Sequence, residues 1–189
     1  LHYAIVINNK NPHNSSVVTV IPLTSQKGDA PVHHNDVELG NELYRSLKLK
    51  YDTIAQQVQA ECEEIDKMLG LINILTTAID AALAIPAGSP EASEAASAAQ
   101  KYMEIANDLK ADWQIKSEQN QKESKQLEKI KAEIDQMKTG SIALVDQITT
   151  VSKIRIYDPR NAYGVLSGIR LSPESLDRIN SKIKELFVF

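Results

Sequence analysis

Apolar positions follow two periods along the chain, and the change between them divides the sequence. Residues 4–7 are a short apolar run closed by the turn cluster Asn8-Asn9-Lys10-Asn11-Pro12. Residues 17–23 are β-branched and apolar, and residues 36–39 alternate polar with apolar before Gly40. All three predict strands. From Leu43 the period lengthens: Leu43, Leu47, Ile54, Val58, Cys62, Ile65, Leu69, Ile72, Leu75, Ile79 and Leu83 recur at spacings of mostly three and four, the stripe of one long helix.

Pro86 and Gly88 break that stripe. Ser89-Pro90-Glu91 predicts a new helix start, with serine as N-cap and proline in the first turn. Ala95, Ala99, Tyr102, Ala106, Leu109, Trp113, Leu127, Ile130, Ile134 and Met137 carry its stripe as far as Gly140. Two helices joined by a short loop predict an antiparallel hairpin, a coiled coil. Residues 116–126 contain no apolar side chain, which predicts a loose, wet middle. Residues 68–85 are apolar enough to raise a membrane span, but Asn73, Thr76, Thr77 and Asp80 oppose it, since an Asp at the bilayer centre costs about 3 kcal/mol.

After Gly140 the strand pattern returns over 142–145, 147–150 and 154–156. Leu171-Ser172-Pro173-Glu174 opens a last helix with Leu176, Ile179, Ile183 and Leu186 on one face. The expected architecture is α+β: a small β-barrel closed by a C-terminal helix and interrupted by the hairpin. Its segments are 1–40 and 139–189 for the barrel and 41–138 for the insertion. The two flanking pieces are too small to fold apart but large enough together.

Charge refines this division. The net charge is −4, so no general basic field advertises a polyanion partner. Residues 41–138 hold 17 acidic and 12 basic side chains, and the flanks hold 8 and 9, so a polyanion would meet the flanks. The single cysteine, Cys62, excludes an internal disulfide and fits a reducing compartment as a packed thiol. His33-His34 with Asp36 lacks further ligands at a familiar metal spacing and reads as a surface loop.

The flanks resemble the PemK/MazF family of toxin endoribonucleases. The stretches are HYAIVINN (2–9), VVTVIPLTSQ (17–26), NDVEL (35–39), IALVDQITTVSK (142–153) and the closing helix. They cover about half the chain, and LTS with DQITT is the specific combination. The resemblance implies an SH3-like barrel and a metal-independent, cofactor-free mRNA interferase of a bacterial cytoplasmic toxin–antitoxin system. It would cleave single-stranded RNA by attack of the ribose 2′-hydroxyl, as a homodimer with an antitoxin partner and no membrane role.

It further implies a strand and loop ahead of Leu1, so a preceding segment is expected. Carried over by position, Asp146 is the candidate base, Thr24 a phosphate-binding hydroxyl and His2 an acid or base. Ser25, Gln26, Lys27, Gln147, Thr149 and Arg155 are candidate RNA contacts. With Asp146 on a strand, Gln147 would face the other way. Family members often carry arginines where His2, Leu144 and Thr149 stand, so the cation for a phosphorane must come from elsewhere, with Arg155 and Lys27 as candidates. The alternative is a catalytically weak binding or assembly module that acts through its hairpin.

Overall fold

The computed structural model describes residues 3–7, 15–26, 31–138 and 140–187. His2 and Lys27 lie outside the described residues. The chain is α+β. In order it forms β1 (Ala4–Val6), β2 (Val17–Ser25), β3 (Val37–Gly40), α1 (Glu42–Leu83), α2 (Ala92–Gln136), β4 (Ser141–Ala143), β5 (Thr149–Ser152) and α3 (Pro173–Phe187). Two compact units result. One comprises Leu1–Asp52 with Glu128–Phe189, the other Thr53–Leu127.

In the first unit every strand pairing is antiparallel, in the order β1-β2-β4-β3 with β5 also on β2. The long β2 organises the sheet. Its odd residues bond β1, as when Leu23 N–H donates to the Tyr3 carbonyl at 2.9 Å. Its other edge takes β5 against Val17–Val20 and β4 against Leu23–Ser25. Both β4 and β5 thus occupy one edge of β2, and the sheet is open among the described residues rather than a closed barrel.

Between these two ladders the register slips by three residues, from Leu23↔Ala143 to Val20↔Thr149. Pro22 stands at the slip. Its carbonyl accepts from Leu144 N–H at 3.0 Å, but it has no N–H to offer in return. There the chain leaves the edge and makes a 3-10 turn over Val145–Gln147. The strand expected through Asp146 is therefore interrupted. Val145 enters the core while both Asp146 and Gln147 face solvent, instead of opposite sides. The strand expected over 154–156 is also absent: β2 begins at Val17, opposite Ser152, Lys153 N–H donates to the Ser16 carbonyl at 2.8 Å, and there the ladder gives way to a second 3-10 turn over Lys153–Arg155.

The core joins Ile21, Val37, Leu39, Ala143 and Val145 to Ile179 of α3, with Ile5, Leu23, Ile148, Ile183 and Leu186 packed around it. Ser172 caps α3, its hydroxyl accepting from Ser175 N–H at 3.2 Å. The Glu42 carboxylate accepts from Ser172 N–H and the Ser175 hydroxyl, placing an anion at the positive end of α3. Leu176, expected on the buried face of α3, is exposed.

The second unit carries the hairpin. In α1 the positions withdrawn from solvent include Ile54, Val58, Glu61, Ile65, Met68, Ile72, Leu75, Ile79 and Ala82, a spacing alternating between four and three. That is a heptad seam. Leu69 and Leu83, expected in the seam, are exposed. Asn120 Nδ2 donates to the Val58 carbonyl at 3.1 Å and Lys116 pairs with Glu64 at 2.7 Å, which fixes the antiparallel register. The expected wet middle is instead a buried polar layer of Asn120, Glu123 and Gln126. Ser89 does not cap α2; its hydroxyl is buried without a hydrogen-bond partner, and the first helical bond runs from Ala95 N–H to the Glu91 carbonyl.

Candidate functional site

Antiparallel partners project to one face, so the register orders the side chains. Leu23, Ala143 and Val37 form one row across β2, β4 and β3 and belong to the core. Thr24, Ile142 and Glu38 form the next row, on the opposite face, and Thr24 is exposed. Ser25 sits across from Ser141 and is half-buried. Gln26 N–H donates to the Gly140 carbonyl at 3.0 Å, and its side chain lies flat on Gly140, where an added Cβ would meet Gln26 Cβ at 2.9 Å. Gln26 is thus a packing residue at this corner.

Asp146 lies on the 3-10 turn three residues beyond β4, against which α3 packs. Its charge reaches Asp36 at the start of β3. The Asp36 carboxyl is pushed up from its ordinary value, chiefly by burial and then by Asp146, while His33 and His34 pull it down. The two imidazoles lie on an exposed turn, not on a strand. Residues 33–36 form a turn, Asp36 N–H donating to the His33 carbonyl at 2.9 Å, and the rings stand 4.3 Å apart at 42°. Among the described residues no group of three or more His, Cys, Asp or Glu is placed to hold a metal ion.

A shallow groove of about 460 Å³ runs from Asp36 and Glu38 along α3, lined also by Asp177, Arg178, Lys182 and Glu185. Arg178 and Lys182 are the cations of this groove, beside Asp36 and Glu38. They alternate with acids on an amphipathic helix, so nothing in the sequence separates them from an ordinary solvated face. Thr149 is exposed on β5 opposite Val20, and Arg155 is exposed in the second 3-10 turn. The sheet therefore brings Thr24 and Ser25 to the strand leading into Asp146, and brings Asp146 to Asp36.

No protein-family model, curated protein or solved structure matches the chain. No helix among the described residues is long and apolar enough to cross a membrane.

Proposed function

We propose that the chain is a metal-independent endoribonuclease of PemK/MazF type, the toxin of a toxin–antitoxin pair, and that its sheet is an opened form of the SH3-like barrel. The reading rests on one register: Thr24↔Ile142 and Ser25↔Ser141 unite the LTS and DQ stretches across the insertion. Asp146 accepts the proton of a ribose 2′-hydroxyl as its oxygen attacks the adjacent phosphorus. The 5′-oxygen leaves with a proton from Asp36, the carboxyl that the charge of Asp146 reaches. Arg178 and Lys182 offset phosphorane charge from the groove along α3, and Thr24, on the other face of β2, hydrogen-bonds a neighbouring phosphate of the same RNA, with Ser25 turned towards the α3 side. Gln147, Thr149 and Arg155 contact the strand. The products are a 2′,3′-cyclic phosphate and a free 5′-hydroxyl. A homodimer and an antitoxin protein are the partners this reading implies.

Incubation of the protein with single-stranded RNA in EDTA tests it. Cleavage that Asp146→Ala reduces at least about 100-fold is the expected result. Intact RNA, or cleavage indifferent to Asp146→Ala, refutes the reading.

A second reading, a binding or assembly module, draws on the apolar side chains that the second unit leaves in solvent, among them Leu71, Ile74 and Ile105. Excising Thr53–Leu127 while keeping Glu42 and Lys50, which belong to the first unit, separates the two. Loss of a binding partner with no RNA cleavage before or after excision favours the module.

A further inference from the structure

The segment 153–170, between β5 and α3, has a surface of its own. Its charged residues are Lys153, Arg155, Asp158, Arg160 and Arg170. The one acid, Asp158, is half-buried, its carboxylate accepting from Val165 N–H at 2.8 Å and Leu166 N–H at 2.6 Å. What this segment shows to water is cationic, in a chain of net charge −4. It also shows rings: Tyr157 is 73% exposed and Tyr163 40%. The Arg160 guanidinium carbon lies 6.0 Å from the Tyr157 ring centroid, and its Nε donates to the Ile156 carbonyl at 3.2 Å.

These rings stand on a fixed frame. The Lys50 ammonium donates to the carbonyls of Gly164, Val165 and Ser167 at 2.9, 2.9 and 2.7 Å. Tyr163 N–H donates to Asn161 Oδ1 at 2.9 Å. Gly164 fits so tightly that a Cβ there would meet Asp158 Oδ1 at 2.7 Å. The frame also reaches towards Tyr3, just before β1. Asp158 is close enough to Tyr3 for its charge to act on the phenol, and the Tyr3 carbonyl holds Leu23 N–H, next to Thr24.

We propose that Tyr157, Arg160 and Tyr163 form a stacking platform for the bases of a single-stranded RNA whose backbone passes Thr24. The inference rests on the RNA reading above. Every base offers a π-face to an exposed ring, and guanidinium planes stack likewise, so such a platform binds without strict sequence demand. Tyrosine and arginine also anchor protein contacts. Here the exposed charge has one sign throughout, which favours a polyanion.

The test uses the full chain and a short fluorescein-labelled 2′-O-methyl RNA, which lacks the attacking hydroxyl, with binding followed by anisotropy. Tyr157→Ala and Tyr163→Ala each weaken binding about 5- to 100-fold, and Tyr157→Phe binds as the parent does. Arg160→Gln lowers the slope of log affinity against log salt by about one. Unaltered circular dichroism shows that the variants are folded. If both alanine variants bind like the parent, the platform is refuted, and the nuclease reading survives if ordinary RNA is still cut. If binding depends on Tyr157 but ordinary RNA stays intact, the platform stands and the nuclease reading falls. No RNA binding, with a sedimentation coefficient that Tyr157→Ala alters, identifies a protein contact and overturns the platform.

Discussion

Lys50 Nζ lies 2.7 Å from the carbonyl oxygen of Ser167, tying α1 to a loop 117 positions further along the chain. The lysine's pKa is lowered from its ordinary value, chiefly by burial, and the charge of Asp158 only partly opposes this. Lys50→Met keeps the apolar stem and removes the donor to three carbonyls. The expected loss is about 2–4 kcal/mol, since hydrogen bonds from charged donors are worth about 1.5–3 kcal/mol and unpaired acceptors add to the penalty. Thermal denaturation reads it, and a melting temperature equal to that of the parent would mean that water replaces the ammonium.

Gly140 turns the chain into β4 at φ +80°, a conformation that L side chains rarely adopt. Gly140→Ala also drives a methyl group against Gln26 Cβ and Oε1, each 2.9 Å away. The expected cost is about 1–3 kcal/mol from backbone and contact together. Gln26→Ala in the same chain relieves the contact but not the backbone. The double variant should therefore recover part of the loss, and strict additivity in a double-mutant cycle would show that Gln26 does not press on Gly140.

Asp36 is a carboxylate whose folded pKa lies above its ordinary value of 3.8, with burial the larger cause and Asp146 the next. A group that binds its proton more tightly when folded favours the folded state fully below the unfolded pKa. That contribution is lost as pH rises through the folded pKa. Side-chain carboxyl NMR follows the titration directly. Asp146→Asn should bring the Asp36 midpoint down without restoring the ordinary value, because burial persists. Replacing His33 and His34 by alanine should move it up. A midpoint indifferent to Asp146→Asn would separate the two carboxylates and dissolve the candidate site.

How far the sequence carried these features depends on the range of the interaction involved. The helices and the Ser172 cap were legible because an apolar period and a hydroxyl before Pro173 are local signals. The interruption at Asp146 was not. It follows from Pro22, more than 120 residues earlier, withholding an N–H from the strand that pairs with it, and no window around Asp146 contains that fact. The Lys50 cradle was hidden for the same reason: lysine on a helix and glycine in a loop reveal nothing until the fold joins them. Within the hairpin, polarity was read as exposure. Asn120 lies in phase with Ala99, Ala106, Trp113 and Leu127, seven residues apart, and that phase outweighs composition.

That polar layer gives two neighbouring substitutions of opposite sign. Asn120 Nδ2 donates to the Val58 carbonyl at 3.1 Å, and its Oδ1 stands 3.5 Å from Cys62 Sγ. Asn120→Ala removes a satisfied group from a buried position and should cost about 1–2 kcal/mol. Glu123 is buried as deeply, but only one of its oxygens has a hydrogen bond, from Gln119 Nε2 at 2.5 Å; Oε2 has none. Glu123→Leu removes that unpaired acceptor and adds apolar contact at a seam position, so it should stabilise the hairpin by about 1–2 kcal/mol. For a chain of this size each kcal/mol moves the melting temperature by about 2–4 °C. Trp113 is the only tryptophan and lies in the same seam, so its fluorescence reports the melting of this unit. Asn120→Ala should lower the tryptophan transition and Glu123→Leu should raise it. If both lower it, Glu123 has a partner in solution, and the layer holds the helices together through both residues.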